Sequence, residues 1–153
     1  MSHRGGPPFR SRLITASLCL LLSGCGGSDG ESSSVGGGAE SVAVTVPDLS
    51  DTAGRGADTF EANCSECHGA TAGGTSEGPP LVHIYYEPGH HADFSFHIAV
   101  QRGSPQHHWE FGDMDPVPGL SDEEVNEIIC YVRELQYAND IFTDAAGLAA
   151  CQS

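Results

Sequence analysis

The chain has 153 residues, enough for one ordinary domain, and carries 21 acidic against six basic side chains, a formal charge of −15. All the basic residues are arginines, and they do not cluster in the body of the chain. Phosphate binding needs clustered Lys and Arg, so nucleic acid is excluded as a partner.

Residues 1–24 read as a signal peptide. Arg4, Arg10 and Arg12 give a positive start, and Leu13 to Leu22 give an apolar stretch of about ten residues, too short to span a bilayer that needs about 20. The stretch ends in Leu22-Ser23-Gly24-Cys25, which resembles the lipobox of bacterial lipoproteins. That resemblance implies a lipidated Cys25 as the mature N-terminus, hence a membrane-anchored protein of the cell envelope facing the periplasm. An ordinary cleaved signal with an incidental cysteine is the alternative.

Residues 25–51 are rich in Gly and Ser with scattered acids and hold too little apolar surface to repay ordering, so they are expected to form a flexible linker. Beyond the signal, Arg55, Arg102 and Arg133 remain against all 21 acids, a net charge of −18. Such a field draws basic partner surfaces, or simply keeps the domain soluble.

Next in the chain comes Cys64-Ser65-Glu66-Cys67-His68. C-x-x-C-H is the attachment signature of c-type haem. Two thiols three residues apart fall on one side of a helical turn and would form thioethers to the two vinyl groups of one porphyrin. The adjacent histidine then offers an imidazole to the iron. A structural zinc site would want a second ligand pair of matching spacing, which is missing, and a thiol–disulfide redox motif would want a buried strand before Cys64, where the sequence is helical and polar.

A middle helix is expected from Ala92 to about Arg102, stopped by Gly103. The last helix opens on Ser121 and Glu124, a capping box, with Asp122 and Glu123 suited to its first turn. Val125, Ile128, Ile129, Val132 and Leu135 make one apolar stripe, flanked by Tyr131, an aromatic placed to cross against Gly56 and Phe60. The helix should end near Asn139, a residue tolerant of the left-handed closing conformation. No stretch alternates as a strand. The fold class is therefore a small all-α domain over residues 52–140, with haem supplying much of the core.

Cys130 falls away from the apolar stripe, about 140° round from Val125 at the helical 100° per residue. An unpaired thiol there is an unlikely thing to keep in an oxidising compartment, and the tail, residues 141–153, is long enough to bring Cys151 back to it. A Cys130–Cys151 disulfide is expected. A frayed tail with Cys151 free, or paired between molecules, is the alternative.

Residues 53–140 resemble the class I (monohaem) cytochromes c. "GRGADTFEANCSECHG" resembles that family's first helix and haem motif, "GPPL" (Gly78 to Leu81) its proximal loop, and "MDPVPGLSDEEVNEIICYVRELQ" its distal methionine loop and last helix. The resemblance implies that the Pro79 carbonyl holds His68. Met114 stands where the family's second axial ligand is found, although Asp115 separates it from Pro116. A thioether favours reduced iron, and the flanks of Met114 are loop-like rather than core-like, so His68 and Met114 are the expected iron ligands. His108 is the competing distal ligand. His108, Trp109 and Arg102 are candidates to hydrogen-bond the haem propionates.

Two adjacent pairs, His90/His91 and His107/His108, flank the middle helix. One histidine from each pair would meet across the haem edge and bind a metal such as copper, a reading weighed against propionate binding. The function implied is a membrane-tethered electron carrier between periplasmic redox proteins, without catalytic residues. The rivals are a subunit of a larger dehydrogenase, reductase or oxidase complex, a haem enzyme or ligand sensor with an open iron position, and a metal-binding module.

Overall fold

Ser50 starts the first helix by accepting the Ala53 N–H on its hydroxyl, and α1 runs over Asp51–Asn63. The computed structural model describes residues 41–152, so the expected signal peptide, Cys25 and most of the linker lie outside the described residues. A four-residue turn, α2 (Ser65–His68), follows α1 almost directly. A 3₁₀ turn at Ile84–Tyr86, helix α3 (Asp93–Arg102), helix α4 (Asp122–Ala138) and a 3₁₀ tail (Ala145–Gln152) complete the described chain. The only β pairing among the described residues is an isolated bridge between Ser104 and Met114. The domain is all-α.

Helix α4 is the spine. Its capping box forms as the sequence suggests, with Glu124 N–H on the Ser121 hydroxyl and the Glu124 carboxylate on the Ser121 N–H. The predicted stripe of Val125, Ile128, Ile129, Val132 and Leu135 is buried. Each such side chain contributes about 1.5–3 kcal/mol of burial. α1 crosses this face at Gly56, and Phe60 meets Tyr131 edge-on with ring centroids 5.4 Å apart. The Tyr131 hydroxyl donates to the Ala70 carbonyl at 2.8 Å and ties the haem-motif loop to the spine.

Three details depart from the sequence expectations. The chain is tied to the domain before Asp51: Val42 N–H bonds the Gly73 carbonyl, Thr45 exchanges two hydrogen bonds with Asn139, and Ser50 N–H bonds Glu134. Val44 and Leu49 pack on the core, which is the apolar surface the composition of the whole segment conceals. Asn139 has φ −110°, and it is Asp140, at φ 58°, that takes the left-handed turn. Cys130 is fully buried, because the tail folds over the face of α4 that would otherwise be outermost. A disulfide joins Cys130 to Cys151 there, with Cα atoms 4.8 Å apart.

Two polar residues of α4 are buried with no exposure at all, Arg133 and Gln136. Arg133 donates to Asp93 (2.9 Å), to the Tyr86 and His91 carbonyls (each 2.6 Å) and to Gln136. Gln136 in turn donates to the Leu81 and Tyr86 carbonyls. A buried guanidinium is tolerated only when it is well partnered, and here two carbonyls of the loop that leads into α3, Asp93 of α3 and Gln136 of α4 itself supply the acceptors. Burial pulls the Arg133 pKa below its ordinary value, and the Asp93 carboxylate works in the opposite direction.

Candidate functional site

The site grows from the junction of α1 and α2. Cys64 closes α1 by bonding the Phe60 carbonyl, and the turn that follows carries Cys67 and His68. Both thiols are free of disulfide, Cys64 partly buried and Cys67 exposed. Burial first, and the neighbouring Cys67 second, push the Cys64 thiol up to about 11. The following loop folds back on the turn: Gly74 N–H bonds the His68 carbonyl, and the Thr75 hydroxyl bonds the Cys67 carbonyl at 2.6 Å. That fold brings the Pro79 carbonyl to 2.8 Å from Nδ1 of His68. Burial keeps the His68 pKa below the usual histidine value, so the ring is neutral, Nδ1–H donates to Pro79, and Nε2 keeps its lone pair.

His68 and Cys64 line a cavity of about 610 Å³ that Phe60, Leu81, Val100 and Ile128 make apolar. Met114 lines the same cavity, and its backbone is held by two hydrogen bonds to Ser104, both 2.9 Å. Gly103 makes that approach possible. It has φ 76°, and a Cβ there would stand 2.3 Å from the Met114 carbonyl oxygen. Asp115 is exposed, and its presence before Pro116 does not break the bridge.

Trp109 also lines the cavity, and its indole Nε1 is buried with no hydrogen-bond partner. The indole is near enough to the Tyr86 phenol to offset part of the rise that burial gives the Tyr86 pKa, without reaching hydrogen-bond geometry. A buried donor left unpaired costs roughly 1–3 kcal/mol, so this one points to an acceptor that the chain itself does not supply. Arg102 ends α3 at an exposed position and is not among the residues lining the cavity.

An apolar cavity lined by the His68 imidazole, the Cys64 thiol and an orphaned indole N–H, with the Cys67 thiol three residues on from Cys64, fits a porphyrin bearing vinyl and propionate groups. Residues 53–136 match the model of a protein family described as cytochrome c. The chain belongs to the cytochrome c family. No curated protein and no solved structure gives a match. As a cytochrome c domain it carries covalently bound c-type haem, which supplies one-electron redox chemistry at its iron, and its role is haem-based electron transfer with redox protein partners. In this cytochrome c no described helix is long and apolar enough to cross a membrane.

All four paired histidines, His90, His91, His107 and His108, line the same cavity. The metal reading weighed from the sequence brings together one histidine from each pair; here both members of each pair meet. His90 faces His108 and His91 faces His107 across the gap between two loops. Adjacent side chains point apart on one strand or helix, but two loops facing each other can satisfy both members. His97 stands elsewhere, bonded to Asn126 at 2.9 Å. Arg133 and Gln136, which hold the loop carrying His90 and His91, left no signal in the sequence.

Proposed function

We propose that this cytochrome c is a class I monohaem carrier, anchored to the membrane through lipidated Cys25, passing single electrons between periplasmic partners. Cys64 and Cys67 hold the haem, and His68 and Met114 ligate the iron. The observation that carries the reading is the pairing of His68 and Met114 in one apolar cavity. Burial keeps His68 neutral, and donation of its Nδ1–H to the Pro79 carbonyl leaves Nε2 unprotonated inside that cavity. The Met114 backbone is pinned by Ser104, so its thioether is offered to the cavity by a fixed loop rather than by a packed helix.

The chain's own residues then have distinct tasks. Apolar walls exclude water and favour the less charged, reduced state. The Trp109 N–H serves a propionate. The 21 acids draw a basic docking surface on the partner.

Met114→Ala is the deciding experiment. Covalent haem is expected to persist, the reduction potential to fall, and cyanide or imidazole to bind the iron freely. An unchanged potential would transfer the ligand role to His108. Separately, Cys25→Ala is expected to move the protein from the membrane fraction to the soluble fraction; unchanged fractionation would remove the anchor from the reading.

A further inference from the structure

Four imidazoles converge at the rim of the cavity, and the tautomers of two of them are set by the backbone. Nδ1 of His91 faces the Tyr85 carbonyl oxygen, and Nδ1 of His107 faces the Pro105 carbonyl oxygen at 2.8 Å. A carbonyl only accepts, so each Nδ1 carries the proton, and in a neutral ring each Nε2 is then a bare lone pair. Those two Nε2 atoms lie 3.4 Å apart. Two lone pairs facing each other repel, and no hydrogen bond joins two neutral rings in these tautomers. The gap between them wants a cation.

Beside this pair, Nε2 of His90 and Nε2 of His108 are 3.2 Å apart, and one nitrogen from each of His90, His91 and His108 lies within 4.8 Å of the others. Ligand bonds of 2.0–2.1 Å in a tetrahedral site put imidazole nitrogens about 3.3 Å apart, the spacing of both observed pairs. Donation of Nδ1–H to a carbonyl is also how metal-ligating histidines are usually oriented.

We propose that His90, His91 and His108, with His107 as a fourth ring against His91, bind one divalent transition-metal ion of imidazole preference, Zn²⁺ or Cu²⁺, at the mouth of the haem cavity. The alternative occupants fit less well. A propionate oxygen needs a donor, which Nε2 of neutral His91 or His107 does not offer. A shared proton would join only two of the four converging rings, and the Arg133 guanidinium, bonded to the His91 carbonyl, opposes it. Arg133 would repel a metal ion as well, but its charge is engaged by Asp93. Three of the four rings are further locked in place: His108 stacks on Tyr85 with centroids 4.6 Å apart, and the His91 carbonyl is held by Arg133, while His107 is held through Pro105.

The inference rests on Met114, not His108, taking the iron, and the two fail separately, since Met114→Ala reads the iron and the following experiment reads the second metal. Haem-loaded protein, with its haem content verified, is stripped with a mild chelator and dialysed against Zn²⁺, Cu²⁺ or Mg²⁺. Expected are one Zn²⁺ or one Cu²⁺ per haem, no Mg²⁺, and nitrogen hyperfine structure in the electron paramagnetic resonance spectrum of the Cu²⁺ form. His91→Gln and His107→Gln should each weaken Zn²⁺ binding by at least ~10-fold, the smallest loss expected when a ligand rather than a neighbour is removed. His97→Gln, outside the cluster, should bind as wild type does. Absence of a second metal in intact haem-loaded protein overturns the proposal, as does an affinity that both cluster variants leave unchanged.

Discussion

A Cβ on Gly56 would stand 1.9 Å from the carbonyl oxygen of Glu127. Helices α1 and α4 therefore cross with backbone against backbone, and no side chain can rotate away to make room. Gly56→Ala gains about 1 kcal/mol of helix propensity. Overpacking costs about 1–3 kcal/mol, and more where backbone must move. The steric cost wins, and a net loss of stability is expected. Gly54→Ala is the internal control: nothing lies within 4 Å of that added Cβ, so it should be neutral or slightly stabilising. Denaturant midpoints of the two haem-loaded variants check the pair. A Gly56→Ala protein as stable as wild type would mean the helices can separate at no cost.

Arg133 is buried completely, while the Asp93 carboxylate it meets is about one-third exposed. Arg133→Met leaves the His91 carbonyl and one Asp93 oxygen without the donors that now satisfy them, and a loss of roughly 3–5 kcal/mol is expected, the usual result of removing one buried partner. Arg133→Lys should not rescue it, because a single ammonium cannot reach four acceptors spread over Tyr86, His91, Asp93 and Gln136. Urea unfolding of both variants tests this, and a Lys variant of wild-type stability would refute the geometry.

The Cys130–Cys151 bond closes a loop with a sequence separation of 21. In the chain-entropy view such a loop is worth about 3 kcal/mol. Cys151→Ser should lower unfolding stability by that order, while the covalently bound haem stays in place. A loss near zero would show that the Ile141 contact with the core carries the tail without the sulfur bridge.

Charge sets the fourth expectation. With 21 acids in the chain, oxidation by a cationic small-molecule complex should be fast at low salt and slow as ionic strength rises. The trend should reverse for an anionic oxidant. The screening length is about 8 Å at physiological ionic strength, so most of the change should occur below that point. Stopped-flow rates across a salt series read both trends, and the same sign of slope for both reagents would dismiss steering.

Much of this architecture is legible in the chain because the relevant signals are local. The Ser121–Glu124 box, the stripe from Val125 to Leu135, and Gly103 behind Arg102 each mark a helix or its end within a few residues. What escaped is non-local. Arg133 and Gln136 look like ordinary polar positions on a helix, since most of their partners are backbone carbonyls from Leu81 to His91, and a carbonyl has no letter in the sequence. Cys130 reads as surface until the tail covers it. Within the site, His68, Pro79 and Met114 stand out by spacing and family pattern. The meeting of all four paired histidines does not, because it depends on how two loops face one another. Arg102 shows the same limit: its place at the end of α3 is legible, but which way that end faces is not.

The burial of Arg133 reaches beyond stability. With no lysine in the chain, Arg55, Arg102 and Arg133 are the only permanent cations among the described residues. One is interior, and Arg55 is engaged by Glu127. Amine-directed cross-linkers will find no lysine anywhere on this molecule. Carbodiimide coupling, by contrast, can join its carboxylates to lysines brought by a visitor and to no lysine of its own. Any zero-length adduct therefore has a known polarity, acid from this chain and lysine from the other, and peptide mapping of such adducts would trace the face through which electrons pass without a competing background of self-coupling through lysine.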